Sequence, residues 1–293
     1  MKYTKILPLL VIFSSFVFFK SYSQNEKFNI LIQSNRYDSR FSKLDIFEEY
    51  QYLGQYFIDR DNKSIINYKT IKEKLDEFYP NKYDSGFLSI NLENEIYWNL
   101  KTPVFTDKSA ESMKKFIKLI EFVKDYRPNI KVGIYALPFG FMKYRYHSLV
   151  NNYDVLMPIL EKVDYISPSL YLNFNLEEKS NQYTVEYIEG ILKYALQFGE
   201  ELSKPVYPYV WYLINPSNKK VGGEILSFEL MKLYLNTIKH YQYNNQSVSG
   251  VIWWESSDNG RKRIIKNNPH NKLLQKEDSI DKFLYEFSKT INE

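Results

Sequence analysis

The sequence predicts an α/β fold, a TIM-like parallel (β/α) barrel, from three observations. Short apolar segments alternate with amphipathic segments of helical length along the chain. Such alternation implies parallel strands joined by right-handed crossovers, and about seven such units favour a closed or nearly closed barrel. About 270 residues follow an N-terminal leader, a usual length for one α/β barrel. No glycine-rich phosphate loop follows the first strand, which argues against a dinucleotide-binding fold.

Each predicted strand is a short apolar or alternating stretch. The third, FLSINLENE, places Leu88, Ile90 and Leu92 on one face and polar residues on the other, and the second is the least regular. An edge strand with one solvent-exposed face has the same pattern, so the row of polar residues does not by itself indicate a functional site. The predicted strands are, in order, 28–33, 53–58, 86–93, 131–138, 165–172, 205–213 and 250–256.

The predicted helices carry apolar residues at helical spacing between these strands. Two polar stretches, 173–182 and 215–223, are interpreted as loops, the second because it contains Asn-Pro and Gly-Gly turn signals. The predicted helices are 68–79, 110–126, 152–163, 185–201, 227–241 and 279–291.

The N-terminus predicts an export signal. Lys2 and Lys5 precede an apolar run over 6–19, and small residues at 21–23 are typical of a cleavage site before Gln24. A signal anchor is the alternative, but the run of about 14 residues is shorter than the roughly 20 needed to span a bilayer. We expect a signal peptide at 1–23, a single barrel domain at 24–293, secreted or periplasmic localisation, and no stable membrane insertion after cleavage.

Charge and composition narrow the class of partner. The net charge of +4 falls to +1 once the three lysines of the leader are removed, which argues against a nucleic-acid partner. The chain has no cysteine, so no disulfide framework is expected. Aromatic residues make up 17%, with 27 Tyr, 20 Phe and 4 Trp. Tyrosine and tryptophan suit sugar rings but also fill cores, so composition favours sugar binding only mildly.

The candidate site residues lie where the predicted strands end, because the active site of a parallel barrel forms at the C-terminal ends of its strands. The third strand ends in Asn91 and Glu93, and later strands end in aromatic residues. One acid among aromatic side chains is typical of a saccharide site. These aromatic residues are Tyr135, Tyr165, Tyr171, Tyr207, Tyr209, Trp211, Trp253 and Trp254.

Five sequence blocks carry a family resemblance. They are GFLSINLENEIYW, YRPNIKVGIYALP, SPSLYLN, KPVYPYV and SGVIWWESSDNG, spread in order over residues 86–260. In order and spacing they are similar to the blocks of the hyaluronidases, a family of glycoside hydrolases. The resemblance implies a seven-stranded β/α barrel, which agrees with the strand count above.

The resemblance also implies a mechanism. Hyaluronidases cleave β-linked N-acetylhexosaminides with retention, and the acetamido oxygen of the substrate attacks the anomeric carbon in place of an enzyme carboxylate. By position, Glu93 corresponds to the single general acid/base and Tyr171 to a residue that contacts the acetamido group. Tyr135, Tyr209 and Trp254 correspond to residues that shape the same subsite; the alternative for these aromatic residues is core packing.

The chain departs from the family pattern at two places. Asn91 stands where the family has Asp, which leaves open a catalytically impaired carbohydrate-binding barrel. The Asn-x-Glu pair also resembles certain endo-β-N-acetylglucosaminidases, in which an amide can hold the acetamide. The family's arginine after the acid is missing and Glu95 adds a negative charge, so a neutral glycan competes with hyaluronan or chondroitin. Lys143, Arg145 and His147 are candidate compensating cations or simply a solvated loop.

The remaining chemistry-bearing residues are weaker candidates. Glu255 alternates to the side opposite Trp254, and Asp258 lies in a turn. His147, His240 and His270 lack metal-ligand spacing, and there is no Gly-x-Ser-x-Gly elbow. We therefore expect a hyaluronidase-like endo-β-N-acetylhexosaminidase that acts on a polysaccharide or oligosaccharide, with no metal and no cofactor.

Overall fold

The computed structural model describes residues 28–33, 47–140, 151–267 and 285. The predicted signal peptide and, apart from Tyr285, the predicted helix 279–291 lie outside these residues. So do Lys143, Arg145, His147 and His270.

The strands form one all-parallel sheet with the order β4-β3-β2-β1-β6-β5. Helices connect most of the consecutive strands, so the α/β class and the parallel pairing are confirmed. The strands are β1 Asn29–Ile32, β2 Phe47–Leu53, β3 Gly86–Ile90, β4 Ile130–Ile134, β5 Tyr209–Val210 and β6 Gly250–Trp253.

Several helices begin at a side-chain cap, which fixes where the chain turns away from the sheet. Asn67, Thr106, Ser180 and Ser227 each accept a hydrogen bond from the backbone N–H three residues later. No helix within the described ranges has both the length and the apolar character needed to cross a membrane. The helices are α1 Gln55–Ile58, α2 Tyr68–Phe78, α3 Glu95–Trp98, α4 Asp107–Tyr126, α5 Tyr153–Leu160, α6 Asn181–Leu202, α7 Phe228–His240 and α8 Asp258–Asn267.

The sheet is curled, and residues 165–170 connect its two edges. Ser167 forms a parallel bridge with Tyr135 just beyond β4, while Ile166 and Ser169 form parallel bridges with Val206 and Tyr209. The Ile166 backbone N–H donates to the carbonyl of Pro205 at 2.9 Å. The described residues therefore contain six regular strands and this bridging segment, and the prediction of seven strands is not confirmed.

The second predicted strand is misplaced. β2 spans Phe47–Leu53, and residues 55–58, predicted to be extended, form the short helix α1. The adjacent Glu48 and Glu49 interrupt the apolar pattern by which a central strand is recognised in a sequence. Backbone hydrogen bonds to both β1 and β3 nevertheless hold β2 in the centre of the sheet. The predicted strand 205–213 contains only two regular strand residues.

The polar stripe of β3 faces the interior of the curled sheet. Ser89 Oγ hydrogen-bonds with Tyr209 Oη, although β3 and β5 are not neighbours in the sheet. Phe87 packs against Tyr207 with ring centroids 5.8 Å apart. Because side chains alternate along a strand, Leu88 points to the opposite face, where it is fully buried. The interior of the barrel is therefore partly polar and rich in tyrosine.

Gly133 on β4 leaves space for the ring of Tyr165 in this interior. A Cβ atom at Gly133 would lie 2.1 Å from Cε2 of Tyr165. The ring is held there because Tyr165 Oη donates to the carbonyl of Leu88 at 2.9 Å. It also packs against Phe87 at 5.7 Å. A side chain at 133 would have to displace this ring.

We expect Gly133→Ala to lower the free energy of unfolding by about 1–3 kcal/mol, the usual cost of overpacking a core. Urea denaturation followed by circular dichroism measures it. Gly260→Ala is the control, because its added methyl would meet mainly side-chain atoms of Ser256 and Ser257 and helix α8 favours alanine over glycine. Equal stabilities for Gly133→Ala and the wild type would contradict the tight contact with Tyr165.

Candidate active site

The candidate residues lie at the C-terminal end of the sheet. Asn91 directly follows β3 and Glu93 comes two residues later, while Tyr135 directly follows β4 and Trp254 directly follows β6. The Asn91 backbone N–H donates to the carbonyl of Leu53 at 3.0 Å, which extends the ladder between β3 and β2. Parallel pairing therefore brings these strand ends to one side of the barrel.

The amide of Asn91 is the centre of the site. Its Nδ2 donates to Tyr52 Oη and lies 3.5 Å from Glu93 Oε2. A flipped amide would turn its oxygen toward the carboxylate of Glu93, so an ionised Glu93 sets this orientation, whereas the Tyr52 hydroxyl can pair with either end of the amide. The Asn91 Oδ1 atom is buried and has no hydrogen-bond partner among the described residues. It is therefore an acceptor available to a ligand.

The surroundings of Glu93 raise its pKa. The residue is exposed to solvent as a whole, yet enough protein surrounds its carboxyl group that partial desolvation raises the pKa above the ordinary 4.5. The hydrogen bond from Asn91 lowers it in part. Burial raises the pKa of Tyr52 and Tyr135, and the nearby charge of Glu93 adds to both. The raised pKa gives Glu93 the character of a proton donor.

The three predicted tyrosines form one cluster below this pair. The Tyr135 and Tyr209 rings meet edge to face at 4.9 Å, and the Tyr171 ring lies 6.0 Å from Tyr135 and 6.4 Å from Tyr209. Tyr209 is fully buried and its hydroxyl is bound to Ser89. Tyr209 thus supports the cluster from the barrel interior, whereas Tyr171 lies nearer the mouth.

A cavity of about 950 Å³ opens at this end of the barrel. Asn91 and Trp254 line it. Glu93 and Tyr171 do not, but Glu93 contacts Asn91, and Tyr171 packs on the cavity-lining Trp211 at 5.6 Å. Of the six predicted residues, Asn91 and Trp254 line the cavity. Tyr135, Tyr171 and Tyr209 form a cluster that reaches the lining through Trp211, and Glu93 reaches it through Asn91. The lining of the cavity includes Tyr52, Asn91, Trp211, Trp254, Glu255 and Arg263.

Glu255 differs from Glu93 in its surroundings. It is buried, and its Oε2 accepts a hydrogen bond from Tyr212 Oη at 3.0 Å. Its Oε1 accepts from the Ser256 backbone N–H at 2.8 Å and from Ser256 Oγ at 3.2 Å. Both carboxyl oxygens are therefore used by the fold. Glu93 remains the better candidate for proton transfer.

Sequence reasoning missed Tyr52, and it named Trp211 only as one of the aromatic residues at strand ends. Tyr52 was not considered because the second strand was placed at 53–58. The alternation of Tyr50 and Tyr52 in FEEYQYL is the signal that identifies it once Glu48 and Glu49 are accepted within a strand. Trp211 follows the alternation of its strand but was not assigned a role; only the fold shows that it lines the cavity.

Nothing in the described residues suggests a metal site. No group of three or more His, Cys, Asp or Glu residues is close enough together there to hold an ion.

Comparison with known proteins identifies the fold. No protein family model matches the sequence, and no curated protein sequence matches it significantly. The crystal structure of bee venom hyaluronidase does match: its TM-score is 0.58 at 17% identity, over 85% of this chain and 100% of that chain. Bee venom hyaluronidase in complex with a hyaluronic acid tetramer matches with a TM-score of 0.56 at 18% identity, over 82% of this chain and 96% of that chain. At the level of the fold, the resemblance read from the five sequence blocks is confirmed.

Proposed function

We propose that the protein is an exported glycoside hydrolase that cleaves β-linked N-acetylhexosaminides by acetamido-assisted, retaining catalysis. One observation carries the proposal: Asn91 presents a buried, unpaired Oδ1 while its Nδ2 contacts Glu93, whose pKa is raised. An N-acetylated sugar needs such an acceptor for its amide N–H and such an acid for its glycosidic oxygen.

The proposed reaction has two steps. Protonated Glu93 gives its proton to the leaving glycosidic oxygen while the acetamido carbonyl oxygen attacks the anomeric carbon and displaces the leaving group. The resulting oxazolinium-like intermediate is then opened by water, which Glu93, now a carboxylate, deprotonates. Asn91 Oδ1 accepts the acetamido N–H, and Tyr171 contacts the same group. Tyr135, Tyr209 and Trp254 shape the subsite.

The hydrogen bond from Asn91 to Tyr52 supports a fixed orientation of the amide, which the proposed reaction needs. A carboxylate at position 91 would both orient the acetamide and offset positive charge, whereas an amide supplies only orientation. Here Tyr52 and Glu93 hold the amide so that its oxygen remains available. The competing function is a binding barrel that has lost catalysis, and it is favoured only by the identity of residue 91.

The rim of the cavity favours an anionic glycan of the hyaluronan or chondroitin type. Lys219, Lys220 and Arg263 contribute positive charge to the lining, and Lys74 is paired with Glu77 at 2.6 Å. In this proposal, these cations attract the carboxylates of the glycan, the role of the arginine that hyaluronidases have after the acid and that this chain lacks. One of the solved structures of similar fold holds a hyaluronic acid tetramer. A neutral, chitinase-like or endo-N-acetylglucosaminidase-like substrate is the alternative.

We expect Glu93→Gln to reduce product formation by about 10²–10⁴-fold, because it removes the only group proposed to donate and accept the proton. The assay offers hyaluronan, chondroitin and chito-oligosaccharides to the purified protein. Glu95→Gln is the matched control, since Glu95 is an exposed carboxylate two residues away, and it should retain activity within a few-fold. Undiminished activity in Glu93→Gln would refute the site; wild-type protein that binds these glycans without cleaving any would establish the binding barrel.

We expect the alkaline limb of the activity profile to lie above pH 4.5, because Glu93 must be protonated and its pKa is raised. Asn91→Asp places a second negative charge beside Glu93, which raises that pKa further and moves the alkaline limb up by about one pH unit. The measurement is kcat/KM against pH. Asn129→Asp adds the same charge far from the site, beside the carbonyl of Tyr83, and should leave the limb in place. A limb that moves to lower pH in Asn91→Asp contradicts the proximity of the two groups.

We expect the protein expressed with its leader to be cut before Gln24 and recovered outside the cytoplasm. Mass spectrometry of the purified protein should give a mature mass that begins at Gln24. The control is a variant with Asp in place of Leu9 and Val11, since charges in the apolar run block signal recognition, and it should keep its leader. A full-length, membrane-associated wild type would indicate the signal-anchor alternative.

A further inference from the structure

Trp211 presents a buried hydrogen-bond donor without an acceptor. The residue lies directly after β5, is 5% exposed and lines the cavity. Its indole Nε1–H has no hydrogen-bond partner among the described residues. A buried, unpaired donor costs stability, so folded proteins satisfy nearly all of them. A donor left unsatisfied at a cavity wall is available to a ligand.

A second residue that lines the same cavity also carries an unpaired polar atom. Among the described residues, Asn91 Oδ1 is a buried acceptor without a partner, and Trp211 Nε1 is a buried donor without one. A ligand that satisfies both must offer an N–H or O–H group and an oxygen acceptor. Trp211 also packs against Tyr171 at 5.6 Å, which connects it to the tyrosine cluster. Asn91 and Trp211 therefore line one cavity.

The charged residues of the cavity lining bear on which ligand oxygen would suit the indole N–H. Glu255 lines the same cavity, and both its oxygens act as acceptors toward Tyr212 and Ser256. A carboxylate of the ligand would be repelled there, whereas Lys219, Lys220 and Arg263 offer it a better place on the rim. The wall around Trp211 suits an uncharged oxygen.

We propose that Trp211 is a substrate-binding residue whose indole N–H donates to a neutral hydroxyl oxygen of the N-acetylated sugar held by Asn91. This inference rests on the proposed function for the identity of the sugar. The pairing is made only when the sugar is bound. It makes Trp211 a determinant of affinity, in contrast to Tyr165 and Tyr209, whose hydroxyl groups are bound within the fold.

If the indole N–H binds substrate, removing it should change the affinity for the sugar and leave the stability of the free protein unchanged. An indole that served only to fill space would lose stability on truncation and leave binding unchanged. A donor reserved for substrate behaves in the opposite way: its removal leaves a substrate oxygen buried without a partner, while the free protein loses no hydrogen bond.

The test measures binding without turnover. Isothermal titration calorimetry measures the Kd of chito-oligosaccharides and of hyaluronan oligosaccharides. It compares the Glu93→Gln protein with the double variant Glu93→Gln, Trp211→Phe. A further variant replaces the Trp211 side chain by benzothienylalanine, which keeps the ring shape and removes only the N–H. We expect Kd to rise by at least about 10-fold in both variants, with the melting temperature of the benzothienylalanine variant equal to or above that of its parent.

Trp253→Phe is the matched control, because Trp253 is fully buried on β6 and stacks on Tyr212 without lining the cavity. It should lower the melting temperature and leave Kd within about twofold. Unchanged Kd in the benzothienylalanine variant overturns the inference about Trp211. Oligosaccharide binding with no cleavage by the wild type overturns the proposed function alone, whereas no binding of any oligosaccharide overturns both.

Discussion

Contact across the barrel interior, from β3 to strands that are not its neighbours in the sheet, is the constraint on which the structure depends. Phe87 meets Tyr207, Ser89 meets Tyr209, and the ladder then continues to Asn91. These contacts fix the register of β3, since a shift of one residue would turn its polar face toward the helices. Asn91 and Glu93 are carried to the mouth by the same register.

The site combines groups that the interior satisfies with groups that it leaves unsatisfied. Lower in the barrel, the hydroxyls of Tyr165 and Tyr209 are bound within the protein. At the mouth, Asn91 Oδ1 and Trp211 Nε1 are buried without partners among the described residues, and the carboxyl of Glu93 is partly desolvated. An unpaired buried polar atom and a desolvated carboxyl group both cost the free protein stability.

Much of the fold was predictable because it depends on short-range patterns. Alternation identified β3, and amphipathic spacing identified α4, α6 and α7 to within a few residues. β2 was misplaced because Glu48 and Glu49 look unlike a central strand, and only pairing with both neighbours stabilises it there. The segment 165–170 has strand-like residues but makes isolated bridges only, which depends on how the two sheet edges meet.

The sequence by itself determined the residue types and their order: an Asn-x-Glu pair at the end of a strand, and aromatic residues at the ends of later strands. These are local properties, set by alternation and by the chemistry of each side chain. Only the tertiary structure decided which of these residues line the cavity, that Tyr52 pairs with Asn91, and that Tyr209 pairs with Ser89. It also decided that the Trp211 N–H has no acceptor among the described residues. Those outcomes depend on contacts between strands far apart in the chain, and no local pattern specifies the distance or angle at which two such side chains meet.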